Sequence, residues 1–375
     1  MYNLSKELFK SFFMTKKKNN LIAIAVVFVL SVLIFVFVPQ NFANLENQID
    51  QESLNAKVVK INELENDVQE IISEATNGSI KGQQVTVLED SGHKLNRRGF
   101  KEGDKIILTH DLVQDVYYIS EYNRSNALLF LFLLFVGIVL LVSGLQGFGS
   151  IIGMAFSFVV LFKIILPMIL NGFDPVWVAI VGALFIIPTT FFSSHGFNKK
   201  TIIAVFGTIL SLVIVGILAS LSIDFGKITG LASEESSFLS MAAVAKIDFR
   251  GLVLAGMIIG IMGILDDVTV SQSSVVQQLK ESKDGIGFRE LYSRSMAVGK
   301  DHISSVVNTL VLIYAGSALP LMLLFLDYSS SFYDVVNVEM ISEEIIRTLI
   351  GSIGLILAVP ITTLLAAWYF SRRGL

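Results

Sequence analysis

The chain has 375 residues, of which 53% are hydrophobic and 16% are charged, and its mean hydropathy is +0.69. Soluble domains carry roughly 25% charged residues, so this composition indicates a membrane protein and disfavours a soluble enzyme, a disordered tail and a nucleic-acid-binding module. The net charge of −4 does not indicate a particular class of binding partner. The absence of cysteine excludes disulfides, thiolate metal sites and a cysteine nucleophile.

Eight apolar runs are predicted to cross the bilayer, which makes the chain an α-helical polytopic membrane protein. The first run is interpreted as an uncleaved anchor, because a signal peptide has an apolar core of only about 7 to 15 residues. We expect a cytoplasmic tail and anchor in residues 1–39 and a seven-helix membrane domain in residues 127–375. The predicted spans, numbered one to eight, are residues 21–38, 127–142, 151–170, 176–192, 201–221, 251–265, 303–326 and 345–370.

Positive charges predict the orientation of these spans, because Lys and Arg in short loops resist translocation. If the N-terminus is cytoplasmic, Lys199, Lys200, Arg372 and Arg373 lie on the same side of the membrane. The opposite loop of residues 327–344 contains no Lys or Arg. The sequence therefore predicts a multi-pass protein of the cell membrane with both termini in the cytoplasm.

Residues 40–126 separate the first two spans and are predicted to form a small extracytoplasmic β-rich domain, either a barrel or a sandwich. Short β-prone stretches alternate there with glycine turns. Residues 63–74 fit a helix or a further strand equally well. The clearest predicted strands are residues 55–61, 83–88, 104–109 and 115–120.

The first candidate for a functional charge is the pair Asp266 and Asp267, because a charge at membrane depth is costly and marks a functional site by default. Predicted span six, which they follow, covers only about 22 Å of a roughly 30 Å hydrocarbon core. In one interpretation the helix breaks inside the membrane, and the aspartates with Ser271 and Gln272 line a cavity for a cation or proton. In the other, the helix extends outward through residues 242–247 and the aspartates cap the next helix.

A polar stripe enters predicted span seven. Helical spacing puts Asp301, Ser305 and Asn308 on one face. In the functional interpretation, Asn308 and Thr309 face the bundle interior, and Asp301 and His302 titrate at its mouth. In the structural interpretation, Asp301 is an N-cap and Asn308 makes only interhelical hydrogen bonds.

Two further charges, Lys163 and Arg347, are second-rank site candidates near the outer ends of spans three and eight. Snorkelling toward the headgroups explains Lys163 without a ligand. Glycines in spans six and eight remove side-chain bulk and so predict close helix contacts; they are Gly256, Gly260 and Gly263, and Gly351 and Gly354.

Three stretches of the C-terminal half resemble the YibE/F-like family of bacterial integral membrane proteins. They are Gly260-Ile-Met-Gly-Ile-Leu-Asp-Asp-Val-Thr-Val-Ser-Gln, Gly299-Lys-Asp-His-Ile-Ser-Ser-Val-Val-Asn-Thr-Leu-Val-Leu-Ile-Tyr-Ala-Gly, and residues 351–363 with their Val359-Pro-Ile-Thr-Thr ending. The layout of residues 20–370 is also similar to the family's, with an anchor, an external β-rich segment and a seven-helix block. The resemblance implies a bacterial membrane protein that serves as a permease or an efflux component.

The leading functional hypothesis is a transporter or permease whose polar site on spans six to eight binds a small solute or ion. The alternative is a membrane-anchored sensor or scaffold whose β domain binds a partner, and polar residues that converge on one cavity would favour transport. An intramembrane aspartyl protease built from Asp266 or Asp267 with Asp334 is disfavoured, because the predicted topology separates them. Since zinc-protease, serine-nucleophile and P-loop patterns are absent, we expect neither catalysis nor a cofactor. The expected partners are the lipid bilayer, a small solute or ion and another membrane protein, with no nucleic acid.

Overall fold

The computed structural model describes residues 20–36, 38, 51–64, 68–90, 99–241, 247–283, 285–327 and 331–372. The protein is mostly helical and has an N-terminal β half-barrel. The described residues fall into two compact units. One lies within Asn41–Val142 and contains the sheet, and the other combines residues of Met1–Gln40 with residues of Ser143–Leu375.

A five-stranded antiparallel sheet forms most of the first unit. Its strands are β1 (Gln51–Glu63), β2 (Val68–Ala75), β3 (Gln84–Asp90), β4 (Lys105–Asp111) and β5 (Val116–Tyr122). They follow the order β3-β2-β1-β4-β5, and because the edge strands β3 and β5 also approach each other, the sheet curls into a half-barrel. The predicted β-rich domain is thus confirmed, and the ambiguous stretch forms strand β2.

The alternation of apolar and polar residues along the strands gives the sheet a one-sided core. On β1, Leu54, Ala56 and Val58 are buried, whereas the residues between them are more exposed. After β2 the chain turns at Gly78, whose φ of 79° favours glycine. A Cβ at this position would overlap the Leu54 side chain, so both the turn and the core require glycine there.

Long apolar helices form most of the second unit. Within the described ranges the helices of the chain are α1 (Asn20–Val36), α2 (Ser125–Val160), α3 (Leu166–Leu170), α4 (Pro175–His195), α5 (Lys199–Phe225), α6 (Glu234–Met241), α7 (Phe249–Ser282), α8 (Phe288–Ser317), α9 (Leu319–Asp327), α10 (Phe332–Val336) and α11 (Glu339–Arg372). A π-helical turn at Leu161–Ile165 joins α2 to α3.

Five helical runs are long and apolar enough to cross a membrane, counting only the part of the chain that the structure describes. They are Ser125–Leu170, Pro175–His195, Lys199–Phe225, Phe249–Ser282 and Glu339–Arg372. The helix α1 is apolar but shorter. A polytopic helical protein is therefore shown, whereas the predicted number of eight spans is not reproduced.

Predicted spans two and three form one helical run of 46 residues, Ser125–Leu170. At 1.5 Å per residue it would measure about 69 Å, more than twice the roughly 30 Å of a bilayer core. The run is interrupted at Gly144, whose φ of 55° and ψ of −128° are not helical. The division of the chain into its two units, between Val142 and Ser143, falls beside this break.

Predicted span seven is divided at Ala318, between α8 and α9. Pro320 explains this break, because proline has no N–H and its ring clashes with the carbonyl group four residues earlier. The helix α8 also begins at Phe288, well before the predicted start, and its first half is polar. Span seven is therefore not among the helices that qualify as membrane-spanning.

The helix α7 lies at the centre of the second unit, where it contacts α4, α5, α8 and α11. Its residues Leu254, Ile258, Ile261 and Leu265 recur at helical spacing and are buried in one apolar core. Because four helices surround α7, polar side chains on it meet protein as well as lipid. A polar site inside the helix bundle would therefore include side chains of α7.

Candidate functional site

The helix α7 continues without interruption through Asp266 and Asp267. Asp266 lies near its midpoint, about 25 Å from either end at 1.5 Å per residue. Both interpretations of the short apolar run are therefore wrong: the helix neither breaks in the membrane nor restarts with the aspartates as caps. The apolar run is short because the second half of α7, up to Ser282, contains more polar residues. The predicted outward extension would pass through residues 242–246, which lie outside the described residues.

The Asp266 side chain is directed toward α4, where the Thr190 hydroxyl lies 3.5 Å from Oδ2. That hydroxyl has one proton and two nearer acceptors, the carbonyl oxygens of Ile186 at 3.0 Å and Ile187 at 3.1 Å. The other carboxylate oxygen, Oδ1, is buried and has no hydrogen-bond partner among the described residues. Asp266 therefore receives little compensation from the described protein for its removal from water.

Further hydroxyl groups lie one turn along α7 from this carboxylate, and charged groups interact with it. One turn along α7, the Thr269 hydroxyl forms a buried hydrogen bond of 2.7 Å with the Thr208 hydroxyl of α5. Asp267 is exposed, and its charge interacts with Asp266 and with His195 at the end of α4. The cluster thus comes from α4, α5 and α7.

Lys200, on α5, forms hydrogen bonds with the part of α7 that follows Asp266. Its ammonium group donates to the Ser274 hydroxyl at 3.1 Å, and its carbonyl oxygen accepts from the Ser273 hydroxyl at 2.9 Å. These bonds fix the rotation of α7 relative to α5. They therefore help to hold Asp266 against α4.

Two glycines of α2 allow that helix to pack closely on α4 beside the carboxylate. A Cβ at Gly149 would overlap the backbone carbonyl of Ser193, and a Cβ at Gly153 would lie 2.6 Å from the Ser193 Oγ atom and 3.2 Å from the Thr190 Cα atom. Glycines four residues apart are a common means of close approach between membrane helices. Thr190 is thus held between α2 and α7.

The chemistry of these groups suits a small, hard cation or a proton. Carboxylate and hydroxyl oxygens are ligands of hard cations, and a carboxylate is also a proton acceptor. Among the described residues, no group of three or more His, Cys, Asp or Glu side chains could hold a metal ion. A single carboxylate with hydroxyls beside it fits a singly charged ion better than a multidentate divalent site.

Gln272 lies on another face of α7 and makes structural hydrogen bonds. It is 4% exposed, and its Nε2 atom donates to the Ser295 carbonyl oxygen of α8 at 3.0 Å and to the Thr363 hydroxyl of α11 at 2.7 Å. Its neighbour Ser271 is exposed. The structure therefore does not bring Ser271 and Gln272 into the Asp266 cluster.

Gln272→Leu is expected to lower the free energy of unfolding by about 1 kcal/mol, since interhelical hydrogen bonds in membranes average about 0.6 kcal/mol and reach about 1.7. The Ser295 carbonyl would then lose the amide donor that faces it. Unfolding of the purified protein in mixed micelles, followed by circular dichroism, measures the change. Ser271→Ala, at the exposed neighbour, serves as the control, and an equal effect of both substitutions would refute the assignment of Gln272 as a structural link.

The polar stripe of α8 does not face the bundle interior as predicted. Asp301, Ser305, Asn308 and Thr309 are exposed, and only His302 is half-buried. The Thr309 hydroxyl is satisfied within its own helix, where it donates to the Ser305 carbonyl at 3.0 Å. Asp301 is also not an N-cap, because α8 begins at Phe288. The predicted cavity shared by spans six, seven and eight is therefore not formed by these residues.

The two second-rank charges are both paired with protein groups. Lys163 is only 9% exposed, and its Nζ lies 4.8 Å from the ring centroid of Phe35 on α1. Arg347 forms ion pairs with Glu343 at 2.6 Å and Glu344 at 2.8 Å on its own helix. Arg347 thus belongs to a charge cluster, which has the spacing of i, i+3 and i+4 pairs.

Sequence reasoning missed Thr190, Thr208 and Thr269, which surround the carboxylate or support its helix. Hydroxyl residues in a membrane helix often bond to their own backbone, so they give no distinct signal in one sequence. Asp334, the carboxylate that an intramembrane aspartyl protease would need besides Asp266 or Asp267, lies on α10. It accepts a hydrogen bond of 2.6 Å from the Ser331 hydroxyl, and no contact among described residues joins it to Asp266.

Comparison with known proteins supports the family resemblance. The family model described as YibE/F-like protein matches residues 131–372, which include the C-terminal part of α2 and every later helix described here. Neither the curated proteins nor the solved structures give a match. Since the matched region covers more than half of the chain, the protein belongs to the YibE/F-like family.

Proposed function

We propose that this membrane protein is a transporter in which Asp266 binds and releases a proton or a singly charged cation. The observation that carries the proposal is the Asp266 carboxylate itself, which lies halfway along α7, a helix long and apolar enough to cross a membrane, with its Oδ1 atom buried and without a hydrogen-bond partner among the described residues. Ionisable groups at such positions are rare and commonly mark ion pathways.

The surroundings of Asp266 support an ion site over a structural role. A structural carboxylate is usually held by donors such as an arginine or several N–H groups, because an unpaired buried charge is strongly unfavourable. Here the nearest donor, the Thr190 hydroxyl at 3.5 Å, is shared with two backbone carbonyls. The Asp266 carboxylate is therefore held only weakly by the described protein. Weak holding is expected of a group that must bind and release an ion.

The neighbouring groups supply a route for that exchange. Asp267 is exposed and interacts electrostatically with both Asp266 and His195. Chains of carboxylate and imidazole side chains relay protons in membrane proteins. An ion that leaves Asp266 would therefore meet Asp267 and His195 next.

The test is flux through the full chain reconstituted in liposomes. Proton movement is read from an entrapped pH-sensitive dye under a potassium diffusion potential, and sodium uptake is measured in parallel. We expect the protein to carry protons or sodium faster than protein-free liposomes, and Asp266→Asn to reduce this flux to the protein-free rate. Absence of both fluxes in the wild-type protein, or full flux in the variant, would overturn the proposal.

The proposed orientation places both termini in the cytoplasm and the β domain outside. Its support is the distribution of Lys and Arg: Lys199, Lys200 and Arg372 fall on one side of the predicted spans, and short loops rich in Lys and Arg stay in the cytoplasm. The Asp267 and His195 end of the site then opens toward the cytoplasm. The cell membrane of a bacterium is the proposed location, in keeping with the family.

Labelling of single cysteines tests this orientation without interference, since the chain has none of its own. Gln114→Cys lies in an exposed turn between β4 and β5, and Ser282→Cys lies at the exposed end of α7. In whole cells, an impermeant maleimide is expected to label the first position and to label the second only after the membrane is permeabilised. Labelling of Ser282→Cys alone in intact cells would reverse the orientation.

A further inference from the structure

A second polar site lies between α6, α7 and α11, distinct from the Asp266 cluster. A cavity of about 310 Å³ is bounded there by Glu343, Glu344 and Arg347 of α11 and by Gly256 of α7. Ligand pockets usually begin at about this size, roughly 300 Å³. The cavity is therefore large enough for a small organic molecule and much larger than a bare metal ion.

The charges that line the cavity do not balance. Arg347 pairs with both glutamates, with Nη2 at 2.6 Å from Glu343 and Nη1 at 2.8 Å from Glu344, so two carboxylates share one guanidinium. The Glu343 side chain is only 15% exposed. The Oε2 atom of Glu344 and the Nε atom of Arg347 are both buried without a hydrogen-bond partner among the described residues. Among the described residues, the cluster of Glu343, Glu344 and Arg347 thus has one more carboxylate than it has positive charges.

The chemistry of this wall selects a cation and disfavours an anion. An anion would face two carboxylates, whereas an ammonium group would supply a positive charge and a donor for the Oε2 atom of Glu344. The groups of His, Cys, Asp and Glu in the described chain do not include a set that could hold a metal ion. The rest of the lining combines the apolar side chains of Leu252, Val253 and Met340 with the hydroxyl groups of Ser233 and Ser236.

We propose that this cavity binds a small organic cation that joins an ammonium group to a short apolar chain. The ammonium group pairs with the glutamates, and the chain packs against the apolar side of α7. The site is separate from Asp266, so its occupation does not require that the protein transports any ion. Binding to the purified chain, without a membrane gradient, is a sufficient readout.

Isothermal titration of the full chain in detergent with butylammonium chloride tests the proposal, with sodium butyrate as the anionic counterpart of the same size. We expect saturable binding of butylammonium at one site per chain below about 10 mM, and no saturable binding of butyrate. Equal binding of both probes, or no butylammonium binding in this range, would overturn the assignment.

Two variants locate the bound cation, and each has a matched control. Glu343→Gln removes the extra carboxylate, and Gly256→Leu fills the cavity while leaving all three charged residues in place. A Cβ at Gly256 meets no atom within 4 Å, so the first carbon of a side chain fits there without displacing a neighbour. Each variant is expected to weaken butylammonium binding at least about tenfold.

The control for charge is Glu235→Gln, at an exposed acid of α6 outside the cavity lining. The control for bulk is Gly260→Leu, one turn further along α7, where a Cβ also meets no atom within 4 Å. Both controls are expected to bind butylammonium as the wild type does. If Glu343→Gln fails to fold, Gly256→Leu still decides, and unchanged binding in Gly256→Leu would place the cation elsewhere.

Discussion

Asp266→Asn is expected to abolish ion flux and, at the same time, to leave the protein more stable than the wild type. The Asp266 carboxylate has a buried Oδ1 atom without a hydrogen-bond partner among the described residues. Removing a charge that the surrounding protein does not compensate relieves a desolvation cost, which we estimate as about 1 kcal/mol or more. A gain in stability with a loss of activity is the pattern expected of a residue retained for function.

Two measurements on the same preparations establish this pattern. Unfolding in mixed micelles, followed by circular dichroism, gives the change in the free energy of unfolding, and the liposome assay gives the flux. Asn keeps the size of Asp, so the packing against Thr190 of α4 is preserved. The flux change is expected to exceed about 100-fold, the usual magnitude for loss of a group that takes part directly in proton transfer.

Asp267→Asn is the matched control, because Asp267 is the adjacent carboxylate and is exposed. It should leave the free energy of unfolding unchanged within about 0.5 kcal/mol and reduce the flux only partially, since Asp267 lies on the proposed route. If Asp266→Asn destabilised the protein by as much as a core substitution, Asp266 would have a structural role. If both variants lost flux equally, the buried position would have no special part in the reaction.

The local features of the fold were predictable because they depend on local sequence patterns. Apolar runs identified membrane helices such as α5 and α11, and alternation identified β1, with Leu54, Ala56 and Val58 buried on one side. Breaks were harder to predict, because Gly144 interrupts a helical run only through its own backbone angles. Pro320 was a visible signal for the break after α8, although the apolar run around it continues.

The site was predictable only in part, because it depends on which face each helix presents to its neighbours. The cost of a charge in a membrane is the sequence signal that singles out Asp266, and its role as an ion site stays a prediction. The partner helix did not follow from the sequence: Asp266 faces Thr190 on α4, whereas Gln272, only six residues later, faces α8 and α11. The polar stripe with Asn308 was correctly grouped on one face of α8, but that face is exposed.

Glycines likewise show that the sequence does not indicate which residues face a neighbouring helix. The predicted close contacts of α7 are wrong, because a Cβ at Gly256, Gly260 or Gly263 would meet no atom within 4 Å. The close contact predicted at Gly354 is present, since a Cβ there would lie 2.5 Å from the Val215 Cγ2 atom of α5. Gly149 and Gly153, which were not singled out, also meet backbone or side-chain atoms of a neighbouring helix, α4. Glycine spacing alone cannot distinguish these cases, since it does not indicate where the neighbouring helix lies.

The second large effect is expected from Gly149→Ala, which should destabilise the helical unit. In the middle of a helix, exchanging glycine for alanine normally gains about 0.5 to 1 kcal/mol, because alanine loses less conformational entropy. At Gly149 the added Cβ overlaps the carbonyl group of Ser193, which belongs to the backbone and cannot rotate away. We expect α2 and α4 to separate locally, at a cost of about 1 to 3 kcal/mol, the range found for overpacked cores.

Gly263→Ala tests whether this effect comes from the contact or from the residue type. Gly263 also lies in a membrane-spanning helix, and a Cβ there has open space around it, so alanine should be neutral or stabilising. Unfolding in mixed micelles is therefore expected to move in opposite directions for the two variants. Because Thr190 lies on the α4 surface that Gly149 and Gly153 contact, Gly149→Ala should also lower the ion flux. A Gly149→Ala protein as stable and as active as Gly263→Ala would show that close packing of α2 on α4 does not support the Asp266 site.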